Sequence, residues 1–297
     1  MADNRRFDPA LMTAVAREAS ADAGLSSEGI ELLRLGQNLM YLLPEEGVVV
    51  RIARKIEFLA TAHKEITVAT WLRQQGFAAA SAARDHPRVV HGHPVTFWDF
   101  VGGRVSDESH LAQLGALLAR FHGLAWPASL ELPNWDPLAQ LAQRIDAAAI
   151  SLADKTLLFE KAADLQARLP TLSYQLPAGV NHGDAHIKNV IITPEGVSVL
   201  LDFENVCRGP REWDLAKVAT EAEMGMVSPE RYRDFADAYG HDVRAWDGFD
   251  VVRSVMQLRM ITWIAQNVEH SRSAADEFAK RITTLRTGQL TEAWSGF

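Results

Sequence analysis

The sequence has almost no cysteine and no long apolar run. Only Cys207 among the 297 residues is a cysteine, which excludes an intramolecular disulfide and is compatible with a reducing compartment. No stretch approaches the roughly 20 consecutive apolar residues that a membrane-spanning helix needs. The N-terminus also lacks the apolar segment of a secretory signal. These absences predict a soluble, cytoplasmic protein that does not bind membranes.

Basic residues are in the minority. The chain has 30 Lys and Arg against 38 Asp and Glu, a formal net charge of −8. Proteins dedicated to nucleic acids usually carry a basic face, so we expect no nucleic-acid partner. An acidic protein instead favours a cationic small molecule. The hydrophobic fraction of 47% is typical of a globular protein. The length suits about two domains. We expect the protein to be a monomer or a homodimer.

The hydrophobic pattern changes near Asp99–Gly103. Before it, short β-branched runs predict strands around one long helix at 56–75, whereas after it helical spacing dominates. We therefore predict an α+β fold with an N-terminal lobe at 1–98, a C-terminal lobe at 99–297 and a hinge at about 98–103. The C-terminal lobe contains one β-rich insert at 180–202.

This insert holds three oxygen-bearing side chains between apolar runs. Asp184 follows an apolar approach, Asn189 precedes Val190-Ile-Ile, and Asp202 ends the run Val199-Leu-Leu. Phosphoryl transfer needs positioning, a metal ion and a carboxylate that takes the proton of the acceptor hydroxyl. Asp184 suits the general base, while Asn189 and Asp202 are hard ligands suited to Mg²⁺. A turn at 193–196 would bring these two ligands side by side.

The motif His182-Gly-Asp184-Ala-His-Ile-Lys-Asn189, followed by Leu-Asp202-Phe-Glu, resembles the aminoglycoside phosphotransferase and choline kinase family. These proteins are distant relatives of protein kinases. Gly209-Pro-Arg-Glu-Trp-Asp214 resembles the segment that follows the metal ligand in that family. The resemblance implies a protein-kinase-like two-lobed fold, with a small antiparallel-sheet N-lobe and a larger, mainly helical C-lobe. It also implies ATP as the donor, with GTP as an alternative, and Mg²⁺. By the same resemblance, Asp184 is the catalytic base, His182 braces the loop, and Asp214 is its buried partner.

The N-terminal half matches the family less closely. Where the family has a strand Lys that holds the α- and β-phosphates, this chain has Arg51, which can also grip phosphate. Glu65 on the following helix is its expected partner. The phosphate loop has one glycine, and Gly36 and Asn38 are expected to offer backbone N–H groups.

The stretch Phe97–Gly103 is identified by the resemblance as the hinge that binds adenine through its backbone. Phe100 belongs to this stretch, and Trp98 either packs on the base or belongs to the core. The family's acceptor pocket is formed by the insert and the C-terminal helices, and acidic and aromatic residues there suit a cationic acceptor. The candidate wall residues are Glu204, Glu212, Trp213, Glu221, Trp263 and Glu269.

The predicted function is transfer of the γ-phosphoryl group of ATP to a hydroxyl of a small molecule. The acceptor is an aminoglycoside-like or other antibiotic, with a role in resistance, or an amino alcohol. One alternative is a metal-dependent hydrolase that uses His182, Asp184, His186 and Asp202. Another is a nucleotide-binding module without catalytic activity.

Overall fold

The computed structural model describes residues 9–36 and 38–296. The described chain contains ten strands: β1 (Glu31–Leu35), β2 (Leu39–Leu43), β3 (Val48–Ile52), β4 (Arg88–Val90), β5 (His93–Asp99), β6 (Arg104–Val105), β7 (Gly179–Asn181), β8 (Val190–Ile192), β9 (Ser198–Leu200) and β10 (Cys207–Gly209). It also contains nine α-helices: α1 (Pro9–Asp22), α2 (Leu59–Gln74), α3 (Leu111–His122), α4 (Leu141–Ala147), α5 (Leu152–Arg168), α6 (Glu212–Glu223), α7 (Pro229–Tyr239), α8 (Phe249–Ala265) and α9 (Arg272–Thr287).

The chain divides into two compact units. Unit one comprises the described residues up to Ser106 together with Lys188–Asn205, and unit two comprises Asp107–Ile187 and the described residues from Val206 onward. The predicted single boundary near Asp99–Gly103 stays a prediction. The units differ from it in that the segment Lys188–Asn205 belongs to the N-terminal unit.

Unit one is built on an antiparallel sheet with the strand order β1-β2-β3-β5-β4. Alternate residues of β2 are buried, as the two-residue period of a strand requires. Helix α1 covers one face, where Met12 and Val15 pack in one apolar cluster with Val50 and Phe97. The sheet is therefore a rigid support for the polar residues that project from β3.

A second small sheet in unit one has the order β6-β8-β9. In its hairpin, Val190 lies opposite Leu200 and Ile192 opposite Ser198. The turn between the strands is closed by a hydrogen bond from Gly196 N–H to the Thr193 carbonyl at 2.9 Å. Gly196 has a φ of 82°, a conformation that glycine adopts without steric cost. This register puts the residues that flank the hairpin at one end of it.

Unit two is mainly helical. Helices α3 and α7 pack against each other, and a Cβ atom on Gly115 would lie 2.4 Å from the Phe235 carbonyl oxygen, so the close approach requires glycine. The short strands β7 and β10 pair antiparallel, with Asn181 opposite Cys207. An antiparallel-sheet N-terminal region followed by a mainly helical part agrees with the predicted layout.

The sequence pattern located most of the long elements. The helix predicted at 56–75 is α2, preceded by a 3₁₀ turn at Ile56–Phe58. Helix α1 begins at Pro9. Within the described part of the chain, no helix has the length and apolarity needed to cross a membrane.

Candidate active site

Arg51 is the centre of a buried polar network in unit one. Its position on β3 directs the side chain toward Glu65 of α2, and Arg51 Nη1 lies 2.5 Å from Glu65 Oε1. Arg51 Nη2 lies 2.8 Å from Glu204 Oε2. The predicted partner Glu65 therefore does contact Arg51. Glu204, which the sequence assigned to the wall of an acceptor pocket, is a second ion-pair partner of this arginine within unit one, and its place in such a wall stays a prediction.

Asn38 belongs to the same network. In the amide orientation that turns the Asn38 side-chain oxygen toward Arg51, this oxygen accepts hydrogen bonds from Arg51 Nη2 at 2.8 Å and Nε at 2.9 Å. Gly36 N–H donates to the Asn38 carbonyl at 3.2 Å, and Arg54 Nη2 donates to the Gly36 carbonyl at 2.7 Å. The contribution of these two residues to a phosphate loop stays a prediction. Gln37, between them, lies outside the described residues.

Three carboxylates meet beside Arg51. Glu65, Asp202 and Glu204 each offer an oxygen, and these atoms lie within 4.8 Å of one another. Burial raises the pKa of the Glu65 carboxyl to about 7, and the charges of Asp202 and Glu204 add to this effect while Arg51 opposes it. Burial alone would lower the pKa of Arg51, but the charges of Glu65, Asp202 and Glu204 raise it above its ordinary value.

Asp202 is held in an unusual conformation. Its φ of 65° lies in the left-handed region, which is costly for a residue other than glycine. Its Oδ1 atom is buried and has no hydrogen-bond partner among the described residues. A buried carboxylate oxygen without a donor is unfavourable unless a cation satisfies it. Strain and an unsatisfied oxygen at one residue both indicate a ligand-binding role.

Asn189 lies at the same end of the β8–β9 hairpin as Asp202. The Asn189 carbonyl accepts a hydrogen bond from Leu201 N–H at 2.9 Å, one residue before Asp202. The strained carboxylate of Asp202 and the two carboxylates beside it form a set of hard oxygen donors that fits Mg²⁺. The fit rests on the unsatisfied Asp202 Oδ1. The assignment of Asn189 and Asp202 as metal ligands stays a prediction.

In the stretch expected to bind adenine, two backbone N–H groups already make hydrogen bonds inside unit one. Asp99 N–H donates to the Ser81 carbonyl, and Phe100 N–H donates to the Gly47 carbonyl at 2.8 Å. Trp98 is buried, and its Nε1 donates to Thr96 Oγ1 at 2.8 Å. The N–H groups of residues 99 and 100 are therefore already used. Adenine binding by this stretch stays a prediction.

Asp214 anchors the loop that carries Asp184 in unit two. Its carboxylate accepts hydrogen bonds from His182 N–H at 2.7 Å and Gly183 N–H at 2.8 Å. His122 Nε2 lies 3.0 Å from the same carboxylate, and all three side chains concerned are almost fully buried. Trp213 Nε1 donates to the Gly183 carbonyl at 3.2 Å. Hydrogen bonds thus hold the backbone of His182 and Gly183 in place immediately before Asp184.

Asp184 is a partly exposed carboxylate influenced by the charges of Lys217 and Arg259. Its side chain is 39% exposed, and Oδ2 lies 3.6 Å from His186 Nε2. Burial alone would raise the pKa of Asp184, but Lys217, followed by His186, His182 and Arg259, holds it below the ordinary range. Burial lowers the pKa of His186 despite the opposing charge of Asp184. Asp184 is therefore ionised at neutral pH, as a general base must be.

A cluster of aromatic rings lies next to this loop. Trp135 packs against Trp213 with ring centres 5.3 Å apart, and Tyr174 contacts Trp246 at 5.3 Å. Trp135 also contacts Tyr174 at 6.2 Å, which joins the two pairs. Of the predicted wall residues, Trp213 belongs to this cluster. Through Trp213, the cluster packs against the loop that immediately precedes Asp184.

Two predicted wall residues of unit two have roles inside the fold. Glu212 is fully buried, and its Oε1 accepts hydrogen bonds from Gln175 N–H at 2.6 Å and Leu176 N–H at 2.7 Å. Glu221 pairs with Lys217 at 3.6 Å across one turn of α6. Glu212 therefore supports the chain near Tyr174. It is not available to contact a substrate.

The described residues do not support the hydrolase alternative. Within 9–36 and 38–296, the His, Cys, Asp and Glu side chains with ligand atoms close enough to hold a metal form one group, and it consists of Glu65, Asp202 and Glu204. Neither His182 nor His186 belongs to such a group. A histidine-rich zinc site is thus disfavoured.

Sequence reasoning missed several residues of these two clusters. Lys217 and Arg259, which act on Asp184, lie on α6 and α8 and belong to no motif. His122 on α3, which contacts Asp214, is likewise without a local signal. The one available clue concerned Glu204, because it lies only two residues after Asp202 in the sequence.

An ionised carboxylate on an anchored loop and a partly buried arginine among carboxylates are the features that the sequence predicts for a kinase-like phosphotransferase. Residues 32–252 match the phosphotransferase enzyme family. The chain belongs to this family, and the predicted family and enzyme class are confirmed.

Known proteins similar to this chain support the same fold and family. The homoserine kinase of Methylorubrum populi is 34% identical over 168 residues, which are 54% of this chain and 49% of that protein. The chain thus spans about half the length of the curated relatives it matches. The structure of the amicoumacin kinase hAmiN with AMP-PNP, Ca²⁺ and Ami has a TM-score of 0.74 at 16% identity and covers 96% of this chain and 95% of its own. A microcompartment-associated aminopropanol kinase has a TM-score of 0.72 at 18% identity, with 92% and 94% covered. The predicted protein-kinase-like fold is confirmed.

Proposed function

We propose that this protein transfers the γ-phosphoryl group of ATP to a hydroxyl of a small, amine-bearing molecule. The observation that carries the proposal is Asp184, a carboxylate that Lys217 keeps ionised on a loop anchored by the buried Asp214. In the proposed reaction, Asp184 orients the acceptor hydroxyl and takes its proton. The acceptor oxygen forms a bond to the γ-phosphorus, the bond to the β-phosphate oxygen breaks, and ADP leaves.

The donor side of the proposal rests on unit one. Arg51 keeps its charge because three carboxylates surround it, and guanidinium groups suit the oxygens of a di- or triphosphate. Asn189 and Asp202 would hold Mg²⁺, supported by the unsatisfied Asp202 Oδ1. When bound, the ion would neutralise charge on the phosphates. The ion pairs of Arg51 with Glu65 and Glu204 keep its guanidinium in place.

The acceptor class is inferred from chemistry that the similar proteins share. The curated relatives are homoserine kinases and one similar structure is an aminopropanol kinase. Homoserine and aminopropanol both carry an amine and a hydroxyl. We therefore favour an acceptor of this type over an aminoglycoside. An antibiotic acceptor and a role in resistance stay predictions of the sequence, as does GTP as an alternative donor.

An acceptor screen tests the proposal. Purified protein with ATP and Mg²⁺ is offered hydroxy amino acids, amino alcohols and aminoglycosides, and ADP release is followed in a coupled assay. We expect release with at least one amine-bearing alcohol. Asp184→Asn should lower the rate by about 10²- to 10⁴-fold, the usual contribution of a general base.

The control for this screen is Asp164→Asn, which removes an exposed carboxylate from α5 and should leave the rate unchanged. Circular dichroism checks that both variants fold. Absence of ADP release with every acceptor, or full activity of Asp184→Asn, would contradict the proposal.

A further inference from the structure

Arg259 on α8 is a partly buried cation without an ion-pair partner in unit two. Its Nη1 donates to the Pro137 carbonyl at 3.1 Å. Among the described residues, no carboxylate lies within 4.0 Å of its guanidinium. Two other arginines of the unit are paired, Arg253 with Asp250 at 3.0 Å and Arg281 with Glu277 at 2.8 Å. A desolvated charge without a counter-ion is unfavourable, which points to an anionic ligand.

Arg259 lies beside the loop of the proposed base. Its Cζ is 5.6 Å from the ring centre of Trp213, and Trp213 is itself bonded to the Gly183 carbonyl. The charges that act on Arg259 are those of Asp184, Asp136 and Cys207, but burial outweighs them and lowers its pKa. The guanidinium remains protonated at neutral pH. It therefore offers unused donors close to Asp184.

We propose that Arg259 binds a carboxylate of the acceptor, so that the substrate class is a hydroxy amino acid instead of a simple amino alcohol. This inference rests on the proposed function and adds a specificity-determining residue to it. A planar guanidinium matches a carboxylate in a two-point hydrogen bond. The aromatic face of Trp213 limits the guanidinium's movement, which reduces the entropy lost on binding.

A second unsatisfied donor supports the assignment. Trp135 Nε1 is buried and has no hydrogen-bond partner among the described residues, and its ring packs on Trp213. Thus Trp213 contacts two side chains with unused N–H groups. Arg259 also lies beyond residues 32–252, the segment that matches the family.

The test compares two acceptors that differ by one carboxylate, homoserine and 3-aminopropan-1-ol. For the wild-type protein we expect kcat/KM to favour homoserine by about 10- to 100-fold, the range for a charge-assisted hydrogen bond. Arg259→Gln should raise the KM for homoserine by a similar factor, with a smaller change in kcat. The kinetics with 3-aminopropan-1-ol should change by less than about threefold. Arg259→Lys keeps the charge but not the planar guanidinium, so its KM for homoserine should lie between those of the wild-type protein and Arg259→Gln.

Arg253→Gln is the matched control, because it removes an arginine of the same helix that already pairs with carboxylates. It should leave the preference between the two acceptors intact. Equal use of the acceptors by the wild-type protein would overturn the proposal, as would an unchanged homoserine KM in Arg259→Gln.

Calorimetric titration of homoserine in the presence of ADP and Mg²⁺ separates this proposal from the proposed function. Binding that is lost in Arg259→Gln and kept in Arg253→Gln supports the carboxylate site even if no phosphate is transferred. ADP release with 3-aminopropan-1-ol, but no binding of homoserine, would refute the site and leave the phosphotransferase standing.

Discussion

At the residue scale, the pKa of Asp184 depends on charged side chains of its own unit. Partial burial favours the protonated form of a carboxylate, and nearby cations favour the ionised form. Lys217 makes the largest of the opposing contributions and holds the pKa of Asp184 below the ordinary range. Because Lys217 pairs with Glu221, its ammonium group stays near α6. Lys217 is thus a positioning and electrostatic partner of the proposed base.

Lys217→Met should move the acid limb of the pH profile of kcat/KM to higher pH. A base acts only when deprotonated, so activity falls as the pH drops through its pKa, and losing Lys217 raises that pKa. Activity at pH 5 should therefore fall more than activity at pH 8. The control is Lys161→Met, which removes an exposed lysine of α5. An acid limb that does not move in Lys217→Met would show that Lys217 does not tune Asp184.

Sequence and structure agree at individual residues to different degrees. Arg51 and Glu65 were paired in the prediction, and they do contact each other, because a strand and the next helix leave few alternatives. The contact of Glu204 with Arg51 was not predicted, since no local pattern shows that Glu204 reaches back to this arginine. Arg259 and Lys217 escaped prediction because their proximity to Asp184 is created by helix packing far along the chain.

At the element scale, the 3₁₀ helix at Glu108–His110, which leads directly into α3, begins with a side-chain cap at Asp107. The Asp107 carboxylate accepts a hydrogen bond from Ser109 N–H at 2.9 Å and one from the Ser109 hydroxyl. These bonds lower the pKa of Asp107 to about 2. Such a cap satisfies a backbone donor that the first helical turn leaves free. The same segment therefore starts the helix and ties its stability to pH.

Asp107→Asn should remove a pH-dependent part of the stability. A carboxyl whose pKa is lowered in the folded state stabilises it above the unfolded pKa, about 3.9, and this is lost as the pH falls toward 2. The gap in unfolding free energy between the wild type and the variant should thus be larger at pH 6 than at pH 2.5, as measured by urea denaturation. Glu108→Gln, at the next position, should show no such change. A gap that is constant with pH would contradict the role of the Asp107 charge.

Elements were predictable where their pattern was long. Helix α7 has clear end signals in the sequence, because a serine cap, a proline at the first position and a final glycine mark its ends. By contrast, β6, β7 and β10 have two or three residues each and are too short to show a two-residue period. Their pairing is set by the packing of distant segments.

At the scale of the whole molecule, the chain contributes complementary chemistry from two compact units. Unit one collects a buried arginine and three carboxylates, and unit two holds an ionised aspartate beside cations and aromatic rings. The family and fold were predictable because the motif of residues 182–202 is local. The identity of the acceptor was not predictable, since the residues near Asp184 come from separate helices. The net charge of −8 suggested a cationic acceptor, whereas Arg259 and Lys217 make the surroundings of Asp184 locally positive.

Identification of the product by ³¹P NMR is the most direct test of the central claim. Homoserine is incubated with ATP, Mg²⁺ and either the wild-type protein or Asp184→Asn. The proposed mechanism predicts a new phosphomonoester signal that grows in step with ADP in the wild type and is nearly absent in the variant. ADP accompanied only by inorganic phosphate, or the same ester signal from both proteins, would contradict phosphoryl transfer by Asp184.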